Sequence, residues 1–263
     1  MLSQVQACYA ELKSWMNLNF LQANGDKTEF SFLGAPTQLA NLLKFDIVLD
    51  ETVISPTENV RNLGVIFDSN MSMVSHVNNV CRNAFYHLRN IGKIRQFLDQ
   101  TIAEHLIHAF VTTRLDYCNS LLFGLPDCLI AKLQRVQNSA ARVVTRNSKF
   151  CHITPLLVDL HWLPIKYRIQ FKIIVLTYKC VNGLAPQYLQ SLLSFKTTTR
   201  SLRSSSQLLL TQPRVKLVSA GHRAFCHSAP QLWNDLPFYL KSSESLDILK
   251  RNLKTHLFRK SFT

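Results

Sequence analysis

Lys132, Arg135, Arg142, Arg146 and Lys149 recur through one stretch at spacings that could present a row of cations to a polyanion. If Ala131 to Lys149 is one helix advancing about 100° per residue, these side chains fall within roughly a third of its circumference. Leu129, Leu133, Val136, Ala140, Val143 and Val144 then occupy the opposite side. Such a helix can dock its apolar face and lay guanidinium groups along phosphates. The planar fork of arginine makes paired bonds to phosphate oxygens. The acidic partners that usually sit one turn away are missing. The competing reading is an ordinary surface helix whose cations snorkel over apolar neighbours. Arg168, Lys172 and Lys179 extend the basic field along a later helix. Arg200, Arg203, Arg214 and Lys216 add a loop of the kind that grips phosphates without sequence preference.

Other chemistries find little support. His105 and His108, followed by Asp116, loosely resemble ligand spacing, but no H-E-x-x-H pattern occurs and no third ligand is defined. Neither a G-x-S-x-G elbow nor a G-x-x-x-x-G-K-[ST] phosphate loop is present. The seven cysteines are an odd number, widely spaced and without C-x-x-C, which points to reduced thiols rather than disulfides or zinc. His161-Trp162 and Cys226-His227 are sequence neighbours whose side chains diverge, so packing is their expected role. No cofactor, no metal site and no small-molecule substrate is expected.

Charge is distributed unevenly. Residues 1–100 carry eight Lys/Arg against nine Asp/Glu, whereas residues 101–263 carry 22 against seven, so the second segment is net +15. Within 129–223, fifteen cations face the single acid Asp159. A one-sign field of this size repels itself and favours a polyanionic partner, with nucleic acid ahead of an anionic membrane. With 47% hydrophobic and 17% charged residues, the 263-residue chain can bury a core. No apolar run approaches the roughly 20 residues that span a bilayer, and no signal segment opens the chain. The expectation is an intracellular protein of nucleus or cytoplasm, neither secreted nor transmembrane.

The elements that must position these residues are mostly helical. Ser3–Asn19 reads as an amphipathic helix through Val5, Cys8, Leu12 and Trp15. Strands are expected over Thr28–Leu33, Phe45–Leu49, Thr52–Ile54 and Val60–Phe67, with Gly64 at a bulge and an unpaired apolar edge near Val60–Phe67. A long helix from about Ser72 carries Val74, Val77, Cys81, Ala84, Leu88, Ile91 and Ile94. Asp99 is the expected N-cap of the next helix, and Pro126 the expected first residue of the third. Thr154-Pro155 should open a short helix, and Ile165–Cys180, apolar nearly all round, a buried central one stopped by Asn182-Gly183. Lys196–Gln207 reads as a basic linker, followed by a hairpin of Leu208–Thr211 with Val215–Val218. Leu246, Leu249, Leu253 and Leu257 form the seam of a terminal helix. The expected class is α+β and predominantly helical: a small helix-plus-hairpin region at 1–70, a helical bundle at 71–150, and a mostly helical region at 151–263.

Several ordered blocks carry a family resemblance. Trp15-Met16-x-x-Asn19, Lys27-Thr28-Glu29 and Leu63-Gly64-Val65-x-x-Asp68 are followed by R-L-D-Y-C-N-S-L-L-F-G-L-P (Arg114–Pro126) and L-Q-R-V-Q-N-S-A-A-R (Leu133–Arg142). L-H-W-L-P (Leu160–Pro164), Y-K-C-V-N-G-L-A-P-Q-Y-L (Tyr178–Leu189) and L-W-N-D-L-P (Leu232–Pro237) complete the series. Together they resemble the C-terminal portion of a reverse transcriptase from a LINE-type, non-LTR, jockey-like retrotransposon. The resemblance implies that residues 1–70 are the last part of a polymerase palm, that 71–150 is similar to the thumb, and that Leu63, Gly64 and Val65 adjoin a primer grip. It offers Lys27 as a vestigial general acid for the pyrophosphate leaving group. In intact relatives two Mg2+ ions are held by an Asp-Asp pair just before the W-M-x-x-N helix. No Asp-Asp pair exists in this sequence, and Met1 falls after that point. The chain is therefore expected not to be an enzyme on its own, but an N-terminally truncated remnant that keeps sequence-tolerant binding to RNA or an RNA–DNA duplex. The alternative is a non-enzymatic helical protein-interaction module, or an unselected gene fragment.

Overall fold

The computed structural model describes residues 2–41, 45–49, 52–196, 207–215 and 221–262. It is predominantly helical, with two small antiparallel sheets. The chain divides into two compact units, Met1–His76 and Val77–Thr263. The helical stretches at 71–150 and 151–263 thus share the second unit from Val77 onward.

The first unit opens with α1 (Leu2–Leu18), then a 3-10 turn at Gly25–Lys27 and α2 (Pro36–Ala40). Strands β1 (Ile47–Leu49) and β2 (Thr52–Ile54) form one hairpin, pairing Ile47 with Ile54. The strand expected over Thr28–Leu33 does not form. Phe30 makes only an isolated bridge to Pro56, and its ring packs edge-on against Phe32, 4.7 Å between centroids. Side-chain packing there replaces a ladder.

The strand expected over Val60–Phe67 is instead a hairpin of β3 (Asn59–Asn62) and β4 (Val65–Asp68). Leu63 and Gly64 have φ of 46° and 85°, the two left-handed positions of a tight two-residue turn. Gly64 is therefore a turn residue rather than a bulge. The segment pairs with itself, and the outward Arg61 N–H is met by Glu29 Oε2 at 2.8 Å, so the expected bare edge is partly covered. Asp68 closes the hairpin by accepting from the Ser72 and Met73 amides, both at 2.7 Å, just ahead of the next helix.

That helix, α3 (Val74–Ile94), continues into the second unit and ends in a 3-10 turn at Arg95–Phe97. Asp99 caps α4 (Gln100–Ile107) by accepting from Ile102 N at 2.7 Å, as the sequence predicts. The chain then widens into a π-helical turn at His108–Thr112 before α5 (Thr113–Asp116). Helix α6 (Asp127–Thr145) begins one residue after Pro126, which stands at the cap position rather than inside the first turn. The short helix α7 (Ile153–Asp159) is followed by α8 (Ile165–Val181), the buried helix expected from its apolar sequence. Asn182 caps it and Gly183, at φ 71°, turns the chain away.

After α9 (Gln187–Gln190), Leu210 forms an isolated bridge to Phe195; the hairpin expected between Leu208–Thr211 and Val215–Val218 involves residues 216–218, which lie outside the described residues. Helices α10 (Phe225–Asn234), α11 (Phe238–Lys241) and α12 (Leu246–Phe262) complete the fold. Ile174 and Tyr178 of α8 pack with Trp233, Leu240, Leu249, Leu253 and Leu257 into the main core. The leucine seam read from the sequence is its floor.

A candidate nucleic-acid interface

Residues 69–98 contain Arg82, Arg89, Lys93 and Arg95 and no acid. Helix α3 turns Val77, Ala84, Leu88 and Ile91 inward. On the other side, Arg82, Phe85, Tyr86, Arg89 and Lys93 share an arc of about 100° at 3.6 residues per turn. All are exposed, and none of the three cations has a hydrogen bond or ion pair among the described residues. Their charges face water without an acid to neutralise them.

Helix α6 runs alongside. Lys132 Nζ donates to Asn78 Oδ1 of α3 at 2.8 Å. Burial pushes the Cys81 thiol up, while the charges of Lys132 and Arg135 pull it down, which places both cations beside the middle of α3. Arg135 is exposed and reaches only its own helix, donating to the Ala131 carbonyl at 3.4 Å. Lys132 and Arg135 therefore widen the basic face of α3 into a band across both helices.

An aromatic ledge borders this band. Tyr86 meets the His87 ring edge-on at 5.3 Å, and His87 stacks on Phe110 at 5.3 Å with 20° between planes. Phe110 is carried to α3 by the π turn, a widening often found at functional positions. Burial first, and Arg114 second, push the His87 imidazolium down in pKa. Arg114 holds the π turn by donating to the Phe110 carbonyl at 3.1 Å.

The stripe expected on α6 divides. Its helix stops at Thr145, because Arg146 adopts a left-handed φ of 55°, and Lys149 lies beyond the helix over the Phe150 ring. Arg142 folds back to the Cys151 carbonyl at 3.1 Å, with its Nε buried and without a partner among the described residues. Arg146 Nη2 reaches the carbonyls of Arg95, Gln96 and Leu98 at 2.9–3.1 Å. In exchange, the buried Arg95 donates to the carbonyls of Val143 and Val144 at 2.8 and 2.6 Å. The two arginines cap each other's helix ends, where orphan carbonyls carry partial negative charge. So the geometry keeps Lys132 and Arg135 together and takes Arg142, Arg146 and Lys149 out of the row.

Arg168 is also committed, forming a forked pair with the Asp116 carboxylate through Nε and Nη2. Lys172 is exposed and lines, with Lys254 and Asn119, a cleft of about 270 Å3 next to that pair. Arg200 and Arg203 lie outside the described residues. Lys27 is exposed at the end of its 3-10 turn. Leu63 stands 83% exposed at a hairpin tip, with Gly64 in the turn and Val65 buried beneath it at 2%. His108, weighed earlier as a ligand, instead contacts Glu104 and Thr112.

Arg82, Tyr86, Arg89 and Lys93 were missed because charge was summed over residues 1–100, where acids near the start cancel them. A helical wheel of the acid-free stretch 69–98 would have shown the face. No protein-family model, no curated protein and no solved structure matches the chain.

Proposed function

We propose that this chain is a nucleic-acid-binding segment akin to the part of a LINE-type reverse transcriptase that follows the catalytic acids. In this reading the first unit derives from a palm and the α3–α6 helices from a thumb, and the chain on its own performs no polymerisation. The observation that carries it is the basic band of Arg82, Arg89, Lys93 and Arg135, exposed, with the half-buried Lys132 between the two helices, all without acidic partners among the described residues. Charges in that arrangement gain by displacing counterions from a phosphate backbone and carry little base preference. The partner class is RNA or an RNA–DNA duplex. Lys27 is a vestigial acid in this scheme, and Mg2+ belongs to intact relatives.

The test is binding of the full chain to a short labelled RNA–DNA duplex across a salt series, with a parallel assay for nucleotide incorporation with Mg2+. Binding at 50 mM salt that falls by roughly two to three orders of magnitude at 200 mM is the expected result. No binding at 50 mM would sink the reading, and templated incorporation would overturn its non-enzymatic part. A protein-interaction module is the second reading. The exposed stripe of Leu12, Trp15 and Leu18 on α1 favours it, because water-facing apolar rows of this kind mark partner surfaces.

A further inference from the structure

We infer that the Tyr86–His87–Phe110 ledge is a stacking platform for unpaired bases, so that the surface prefers single-stranded nucleic acid, or a duplex with a single-stranded overhang, to a blunt duplex. The inference rests on the nucleic-acid reading above and specifies its ligand. Tyr86 is 62% and Phe110 43% exposed, joined through His87 beside the exposed cations of α3. Phe110 stacks on His87, Tyr86 meets the same ring edge-on, and Arg114 fastens the Phe110 backbone, so contacts within the ledge order it before any ligand arrives. Cations stand on the same arc of α3 both before and after Tyr86. From Arg82 to Lys93 the helix rises about 16 Å, the length of roughly five stacked nucleotides at 3.4 Å each. Phosphates tracking Arg82, Arg89 and Lys93 would bring successive bases over the ledge. A base inside a duplex offers no free face to a ring, whereas an unpaired one does, and stacking is tolerant of sequence because every base has a π surface.

The experiment compares the full chain with Y86A, using a 12-nucleotide single strand, a blunt duplex of the same sequence, and that duplex with a six-nucleotide overhang. Tyr86 is exposed, so the fold should survive, and thermal unfolding checks that it does. Tighter binding of the single strand and the overhang than of the blunt duplex is expected. Y86A should weaken those two ligands by roughly 5- to 150-fold, the range of losing one base stack, and leave the blunt duplex unchanged. Cross-linking of 4-thiouridine in the strand to Tyr86 or Phe110 is the second readout. Equal affinity for all three ligands, with Y86A neutral and no cross-link at the ledge, overturns the stacking inference while leaving the nucleic-acid reading intact. Absence of binding to every ligand at low salt overturns both.

Discussion

Replacing Arg82, Arg89 and Lys93 together by Gln removes three charges that hold nothing else in place, so its effect on binding can be worked out from electrostatics alone. With Lys132 and Arg135 included, about five phosphates are within reach, and each contributes close to −0.9 to the slope of log affinity against log salt. The unaltered chain should therefore show a slope near −4.5, equivalent to a loss of roughly 500-fold between 50 and 200 mM salt. The triple variant should fall to about −1.8, or roughly 12-fold over the same range. Fluorescence anisotropy with a labelled RNA–DNA duplex from 50 to 400 mM NaCl measures both slopes. Because the three side chains have no hydrogen bond or ion pair among the described residues, the urea midpoint should stay where it was. A slope within one unit of the original would refute the assignment of the interface to α3, whatever the absolute affinity.

Arg95→Met should destabilise by about 3 kcal/mol in urea unfolding, since it takes the donor from the part-buried Val143 and buried Val144 carbonyls. Arg146→Gln should cost stability, about 1–2 kcal/mol, while leaving the salt slope unchanged; the opposite pattern would return Arg146 to the interface. His76 is buried and its Nδ1 accepts from the Ile66 amide, so burial lowers its pKa below the ordinary 6.5. The unfolded state then binds the proton more readily, and stability of the first unit should be full above pH 6.5 and fall as pH drops from there through the lowered folded value. Hydrogen exchange of the β3–β4 amides at pH 7.5 and pH 5 checks this, and equal protection would count against it.

The helical periodicities of α3, α8 and α12 were legible because their apolar residues pack into a core, whereas the stripe of α1 formed its helix but stays exposed. The stripe of α3, the leucines of α12 and the all-round apolar α8 appear where the spacing put them. The failures have local causes. Val60–Phe67 is rich in strand-forming residues, and its turn places Leu at a left-handed φ of 46°, where Asn or Gly is the usual signal. The end of α6 was hidden in the same way, because Arg146 takes the left-handed cap with no glycine to mark it. The Tyr86–Phe110 ledge depends on a π turn, which a fixed 3.6-residue period does not reveal.

The same physics explains why a count of cations overstated the expected stripe on α6. A chain with 30 Lys/Arg and 16 Asp/Glu has too few carboxylates to pair its positive charges, yet every helix end exposes carbonyls that want donors. Arg95 and Arg146 answer that demand at the ends of α6 and α3, and the buried Lys241 does so at the end of α10 by donating to the Asn234 carbonyl at 2.9 Å. Burial lowers the pKa of Lys241 and nearby Asp235 raises it back in part. These three cations near helix ends are therefore drawn inward, while Lys93 in the last turn of α3 stays exposed. Arg82, Arg89, Lys132 and Arg135 are mid-helix residues. The carbonyls and carboxylates within a side chain's reach, more than local charge density, decide which arginines of a basic chain remain free to meet a phosphate.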